Sequence, residues 1–355
     1  MKVIILNSGS RPASSSISEV NGEAIVLAEL LCDDHDVTIA STLSKRDVLD
    51  PRFHWWDLRN QEVPEADCLL WVNGKANFFG GADNPHEVLN YVLAHRFNGP
   101  IFYIFTDTVL PLLDVRPNVA SRDWASNYNM CELDLTNKDI TLVCQSKNVH
   151  EALKWHNSFA KDSMQLTKAV HFPLHRLFVS APWRWGKMRE KKWDLIYGGG
   201  MRRGFRKRAI QQYFAAPDDL TSYVFGNIKD LSKPTAVMGP KVAWDEFIPQ
   251  MSEGLATCFI GDECFSALDH ITPRPYEAII AGCATFCAPG LDVGGELFDD
   301  FTRVTGPADF WTKVKKLKAD AALMQDTLHK QLERVYSNLA QVDFPAWLTN
   351  TLESR

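Results

Sequence analysis

The chain has 355 residues, of which 45% are hydrophobic and 23% are charged. This composition is typical of a soluble globular protein, and the length favours two domains over a single core. The formal net charge of -6 excludes a general electrostatic attraction to nucleic acid or to anionic membranes, so a nucleic-acid partner would need a local basic face.

The cysteines and the N-terminus indicate where the protein works. Eight cysteines are scattered, mostly within apolar runs, and none forms a CxxC pair. Buried free thiols in a reducing compartment explain this pattern better than disulfides or zinc sites. The apolar run Met1–Leu6 is too short for a signal peptide, and no apolar stretch approaches membrane-spanning length. We therefore expect a cytoplasmic protein without a membrane partner. As a separate expectation, the protein is a monomer.

The first half of the chain alternates between patterns typical of strands and patterns typical of helices. The predicted strands are 2–6, 36–40, 66–72, 100–105, 140–144 and 170–172. The predicted helices are 18–31, 85–97 and 149–159. This alternation predicts a parallel sheet covered on both faces, in a Rossmann-like domain.

A basic and aromatic segment, from Leu177 to Lys192, interrupts the alternation and predicts a crossing between domains. After this segment the alternation of strands and helices resumes. The second-half strands are predicted at 193–197, 223–225, 256–260 and 284–287, with one or two helices over 308–336 and a last helix over 345–353. The predicted architecture is α/β, with two Rossmann-like domains facing a cleft.

The stretch from Trp193 to Phe214 has the order of elements that is typical of an anion-binding site. An apolar strand is followed by the glycines 198–200 and by a helical pattern that opens near Gly204. Free backbone N–H groups and a helix dipole at such a turn attract anions, and arginine pairs bidentately with phosphate oxygens. Arg202 and Arg206 therefore indicate a diphosphate site, although a surface turn with solvated arginines remains an alternative.

A second junction in the same half carries similar residues. The strand 256–260 ends in Gly261-Asp262, and Arg274 and Glu277 lie at the start of the next helical pattern. Glu277 can accept both hydroxyls of a ribose, and Arg274 can join the other arginines around the phosphates. The alternative is that Glu277 serves only to stabilise the helix N-terminus.

Two features of the first half fit an acceptor site. Asp107 follows the strand 100–105 and suits a general base, although a turn or N-cap aspartate is the commoner role. Asn77-Phe78-Phe79 precedes a glycine pair and suits a wedge that displaces a base, or a loop that packs on the core.

Several motifs now occur in a characteristic order. They are NFFGG at 77–81, FYIFTD at 102–107, RPNV at 116–119, DLIYGG with RxxxR at 194–206, FGN at 225–227, IGD at 260–262 and ITxRxxE at 271–277. In these motifs the chain resembles, nearly end to end, the DNA β-glucosyltransferase family of T-even bacteriophages, which glucosylates 5-hydroxymethylcytosine in duplex DNA. The resemblance implies the glycosyltransferase B fold. Residues 1–176 would be the DNA and acceptor side, with a C-terminal helix 338–355 packing back on them, and residues 177–337 would bind UDP-glucose.

The resemblance also implies roles for individual residues. Asp107 falls on the catalytic base and Glu23 on a glutamate at the sugar end of the cleft. The UDP-sugar positions are Gly199, Gly200, Arg202, Arg206, Val242, Asp262, Arg274 and Glu277. The positions near a flipped base are Asn77, Phe79 and Arg122. Gly200 stands where the family has a serine, and the loop between Asp262 and Arg274 is about one residue longer than expected.

The implied reaction is a single displacement that inverts the anomeric centre, in the cytoplasm of an infected bacterial host. The resemblance also allows a divalent cation, Mg²⁺ or Mn²⁺, although no DxD pair is present to hold it. The alternatives are transfer of another sugar, such as arabinose from UDP-arabinose, transfer to a small molecule, and a non-catalytic DNA-binding relative. Basic residues near the domain crossing could contact DNA phosphates or form a solvated linker; they are Arg184, Lys187, Arg189, Lys191 and Lys192.

Overall fold

The protein forms two compact α/β units. The computed structural model describes residues 1–7, 22–41, 52–60, 62–73, 93–94, 96–105, 139–145, 147–148, 150–151, 168–180, 185–200, 205–226, 236–242, 245–261 and 270–355. The first unit comprises Met1–Phe178 together with Val342–Arg355, and the second comprises Val179–Gln341.

The first unit contains a seven-stranded sheet in which every pairing is parallel. Its strands are β1 (Lys2–Asn7), β2 (Asp36–Ser41), β3 (His54–Asp57), β4 (Cys68–Asn73), β5 (Ile101–Phe105), β6 (Ile140–Cys144) and β7 (Lys168–His171). The strand order is β3-β2-β1-β4-β5-β6-β7. Helix α1 (Gly22–Leu31) lies between β1 and β2 in the chain, and short 3-10 helices occupy Leu58–Asn60 and Leu174–Val179.

The interior strand β1 shows why this sheet forms. Val3, Ile4, Ile5 and Leu6 are all buried, so both faces of β1 are covered. A continuous apolar run is typical of parallel strands, because crossover connections place helices on both faces of the sheet. The confirmed α/β class therefore follows from the local sequence of the strands.

The second unit repeats this plan with five parallel strands. They are β8 (Trp193–Gly198), β9 (Ser222–Phe225), β10 (Ala236–Gly239), β11 (Gly254–Phe259) and β12 (Ala284–Cys287), in the order β10-β9-β8-β11-β12. The helices are α2 (Phe205–Phe214), α3 (Phe247–Met251), α4 (Pro273–Ile280), α5 (Pro307–Ala319) and α6 (Ala321–Ala340). The order of connections reverses between β8 and β11, and ligands of open α/β sheets bind at the carboxyl ends of the strands at such a reversal.

The helix α7 (Phe344–Glu353) belongs to the first unit. Phe344 and Leu348 are buried, and the ring of Trp347 lies 4.7 Å from that of Phe172 and 5.8 Å from that of Phe102. Beyond the helix, Arg355 forms an ion pair with Asp139. The chain therefore returns from the second unit to complete the core of the first.

Two strands differ from the sequence-based expectation. The strands β3 and β10 were not predicted, because each has only four residues, which are too few to show a strand periodicity. The segment 308–336 forms two helices. The carboxylate of Asp320 accepts hydrogen bonds from the N–H groups of Ala322 and Leu323, both at 3.0 Å, and so starts α6. No helix in the described part of the chain has the length and apolar character needed to span a membrane.

Candidate functional site

The turn after β8 lies at the strand-order reversal of the second sheet. The N–H of Gly199 donates to the carbonyl of Phe225, at 3.0 Å, and so ties this turn to the end of β9. A Cβ on Gly226 would lie 2.0 Å from the carbonyl oxygen of Gly199, and Gly226 has a φ of 132°. Only glycine fits at Gly226, because both the space and the backbone conformation exclude a side chain.

Gly200 is in a different environment. It is exposed, and a Cβ there would meet no atom of the described residues within 4 Å. No described residue therefore requires a glycine at this position.

Arg206 approaches the turn from the first turn of α2. Its Nη2 atom donates a hydrogen bond to the hydroxyl of Tyr197, at 3.2 Å. Tyr197 is the residue of β8 that directly precedes the glycines, so the hydrogen bond fixes the arginine beside the turn. The positive end of the α2 dipole adds to the charge at this place.

Arg274 approaches the same place from α4. Its Nη1 atom donates to Oε2 of Glu277, at 2.8 Å, and its guanidinium carbon lies 3.9 Å from the centre of the Phe247 ring. The Glu277 side chain is 1% exposed and that of Arg274 is 39% exposed. The carboxylate is thus buried against a cation that still reaches solvent.

These residues line one hollow, which we call the β8 hollow. Its lining includes Tyr197, Gly198, Arg206, Phe259, Ile260 and Arg274. The structure therefore brings together two arginines from separate βα junctions at the carboxyl ends of β8 and β11. These two arginines and the adjacent helix N-termini supply positive charge that suits phosphate oxygens, while the rest of the hollow is lined mainly by apolar residues.

The other expected site residues are placed differently. Val242 follows β10 and is half-buried against the cluster that contains Phe247 and Ile248. Glu23 lies in the first turn of α1, in the first unit. The remaining expected positions lie outside the described residues; they are Asp107, Arg202, Asp262, Asn77, Phe79 and Arg122.

The basic segment near the domain crossing is largely engaged within the second unit. Arg189 forms ion pairs with Glu246 at 2.6 Å and with Glu253 at 3.2 Å, and Lys192 also pairs with Glu253. The ammonium of Lys191 donates to the carbonyls of Gly254 and Gly282, both at 2.7 Å. These three side chains hold the segment on its own domain, which disfavours their role as DNA contacts. Lys187 is exposed, and Arg184 lies outside the described residues.

The cysteines of the described regions are free thiols, as expected. Five are buried and Cys32 is half-buried. Burial raises the pKa of Cys68, Cys144 and Cys283 to about 12. These three thiols stay protonated at neutral pH and are poor nucleophiles and metal ligands.

Two contacts of the site were not expected from the sequence. Tyr197 was assigned only as part of a strand, and Phe247 belongs to a five-residue helix that no periodicity indicates. Tyr197 directly precedes the glycine turn, and this position in the sequence was the one feature that could have indicated its contact with the site.

Comparison with known proteins agrees with this architecture. A family model described as bacteriophage T4 beta-glucosyltransferase matches residues 1–175. The DNA beta-glucosyltransferase of Enterobacteria phage T4 is 26% identical over 280 residues, which are 76% of this chain and 78% of that protein.

Solved structures extend the likeness to almost the whole chain. T4 phage BGT in complex with its UDP-glucose substrate aligns with a TM-score of 0.69 at 20% identity, over 96% of each chain. T4 phage BGT in complex with UDP and Mn²⁺ gives 0.70 at 23% identity, also over 96% of each. Sucrose-phosphate synthase from Thermosynechococcus elongatus gives 0.56 at 11% identity, over 95% of this chain and 94% of that one. At these identities the structures establish the fold, which is glycosyltransferase B. The chain is therefore similar to the bacteriophage T4 beta-glucosyltransferase family in residues 1–175, and it shares the fold of that family's solved structures over almost its whole length.

Proposed function

We propose that the protein transfers glucose from UDP-glucose to the hydroxymethyl group of 5-hydroxymethylcytosine in duplex DNA, forming a β-linkage. The observation that carries the proposal is that Arg206 and Arg274, from two separate βα junctions, line the β8 hollow. The curated relative, at 26% identity, is a DNA beta-glucosyltransferase, and this supports the transfer to DNA.

The donor is held by the second unit. The diphosphate lies between Arg206 and Arg274, where two helix dipoles also favour negative charge. Glu277, buried in the first turns of α4, accepts hydrogen bonds from the ribose hydroxyls. Arg202, Gly199, Gly200, Val242 and Asp262 complete the donor contacts in this proposal.

The acceptor is held by the first unit, as the family resemblance implies. Asn77, Phe79 and Arg122 contact a cytosine that is rotated out of the duplex, because the hydroxymethyl group must reach the sugar. Asp107 removes the proton of that hydroxymethyl group, and Glu23 lies at the sugar end.

The chemistry is a single displacement. The acceptor oxygen loses its proton to Asp107 and attacks C1 of the glucose, while the bond from C1 to the diphosphate oxygen breaks on the opposite face. One such attack inverts the configuration, so an α-linked donor gives a β-linked product. The leaving diphosphate gains charge as it departs, and the fixed arginines stabilise that charge.

The described residues can be compared with the ligands that a divalent cation needs. T4 phage BGT has been solved with UDP and Mn²⁺. Among the residues that the structure describes, no group of three His, Cys, Asp or Glu side chains is placed to hold a metal ion. Since these residues do not fit a cation bound by protein ligands alone, the proposed mechanism contains no step through a metal.

The experiment that tests the proposal is a transfer assay. The protein is incubated with labelled UDP-glucose or UDP-arabinose and with hydroxymethylated or plain duplex DNA, and the DNA is digested to nucleosides. We expect glucosylated 5-hydroxymethylcytosine only from the combination of UDP-glucose with hydroxymethylated DNA. An arabinosylated nucleoside would show that the donor is UDP-arabinose. Release of UDP in the absence of DNA would show that the acceptor is not DNA. Binding of UDP and DNA without any transfer would indicate a non-catalytic DNA-binding protein.

The relative comes from a bacteriophage, so we place the activity in the cytoplasm of an infected bacterium.

A further inference from the structure

We propose that Tyr197 and Phe247 are positioning residues, each of which holds one of the two arginines of the β8 hollow in place for a nucleoside diphosphate. The inference rests on the proposed function, since it assumes that Arg206 and Arg274 contact the diphosphate. The two aromatic side chains come from different elements, the end of β8 and the start of α3.

The ring of Phe247 is fixed between the glycine turn and Arg274. It is 5% exposed, and its centre lies 5.5 Å from that of the Phe225 ring. A Cβ on Gly198 would lie only 2.6 Å from its edge. The guanidinium carbon of Arg274 lies 3.9 Å from the ring centre, well within the range of a cation–π interaction. Gly198 thus leaves the space that this ring occupies, and the ring determines where the cation sits.

Tyr197 plays the same part for Arg206. Its ring packs on that of Phe214, with the centres 5.2 Å apart, and its hydroxyl accepts the hydrogen bond of Arg206. A Cβ on Gly199 would lie 3.2 Å from that hydroxyl. Each aromatic residue therefore touches one glycine of the turn and one arginine.

The consequence of this arrangement is energetic. A free arginine side chain loses most of its rotamer freedom when it is ordered. A guanidinium that is already held beside the turn loses less when the anion binds, so more of the interaction appears as affinity. Removal of either aromatic contact should therefore weaken diphosphate binding without disturbing the fold.

The alternative is that both residues serve only as core packing. Two substitutions separate the roles. Tyr197→Phe removes the hydroxyl and keeps the ring, while Phe247→Leu keeps an apolar side chain and removes the π face. Tyr213→Phe and Phe310→Leu are matched controls, because both positions are buried in the same unit and their rings pack on each other at 5.9 Å.

The test compares the Kd values of UDP and UMP for each variant by calorimetric titration, with urea unfolding as the measure of stability. We expect Tyr197→Phe and Phe247→Leu each to weaken UDP about fivefold, and UMP clearly less, because UMP lacks the second phosphate. The controls should leave the ratio of the two Kd values unchanged. Equal losses for UDP and UMP, or no loss in either variant, would overturn the positioning role. Failure of the unmodified protein to bind UDP would instead reject the proposed donor site, so the two failures are distinguishable.

Discussion

The guanidinium of Arg274 donates a hydrogen bond across 2.8 Å to the carboxylate of Glu277, three residues further along α4. The acid is almost fully buried, whereas the arginine still reaches solvent. The proposed contacts for the ribose and for the diphosphate are therefore already paired with each other before the nucleotide binds. This pairing orients both groups and neutralises a carboxylate that would otherwise be costly to bury.

Replacement of Glu277 by glutamine should weaken the recognition of ribose. We expect Glu277→Gln to raise the Kd of UDP about tenfold, because an amide accepts hydrogen bonds less strongly than a carboxylate. The preference for UDP over 2′-deoxy-UDP should shrink at the same time. Calorimetric titration with both nucleotides measures the effect, and an unchanged preference would contradict the ribose role.

Removal of Arg274 should cost both stability and affinity. Arg274→Ala leaves the buried Glu277 carboxylate without this cation, and we expect a loss of about 1–2 kcal/mol in the free energy of unfolding, after allowance for the exposure of the arginine. UDP binding should weaken about a hundredfold. The double variant Arg274→Ala, Glu277→Gln should regain part of the stability and none of the affinity. Arg208→Ala, on the exposed face of α2, is the control.

The glycines of the site should respond in opposite ways to substitution. Gly226→Ala forces a Cβ against the Gly199 carbonyl in a backbone conformation that alanine rarely adopts, so we expect a loss of at least about 2 kcal/mol in stability and weaker UDP binding. Gly200→Ser enters open space and should leave the urea midpoint unchanged, with UDP binding equal or tighter. A destabilised Gly200→Ser variant would show that this turn is packed more closely than the structure indicates.

Asp194 should make the second unit sensitive to acid. Burial alone would raise the pKa of this carboxyl, but hydrogen bonds from Thr221 and the ammonium of Lys318, at 2.9 Å, lower the pKa below its ordinary value of 3.8. A lowered pKa stabilises the folded state above pH 3.8, and this contribution disappears as the pH falls through the folded-state value. Asp194→Asn should therefore cost about 1 kcal/mol at pH 7, and this cost should shrink as the pH falls below 3.8. A constant difference between the two proteins from pH 7 to pH 2 would rule out this linkage.

Asp107 provides the test of the proposed chemistry. We expect Asp107→Asn to lower kcat at least about a hundredfold while the Kd of UDP stays within a factor of two, since a general base acts on the acceptor and not on the nucleotide. Single-turnover kinetics on hydroxymethylated DNA separates the two effects. Equal losses in kcat and in UDP affinity would remove Asp107 from the role of base.

The sequence by itself determined the fold class. Buried strands such as Val3–Leu6, and the alternation of strands with helices, are local patterns that a single sequence displays. The β8 turn followed by an arginine-bearing helix is equally local, so the residue order alone is enough to indicate Arg206 as a phosphate ligand. The edge strands β3 and β10 were not predicted, because four residues are too few to show the periodicity on which such predictions depend.

Only the tertiary structure decided which distant residues meet. The strand order that places β11 beside β8 brings Arg274 to the same hollow as Arg206, and the packing of α3 places Phe247 under Arg274. Likewise, only the fold shows that Arg189 and Lys191 are occupied by partners within their own unit. The physical reason is that hydrophobic periodicity reports the environment of one segment, whereas contacts between segments depend on sheet order and side-chain packing, which no local pattern contains.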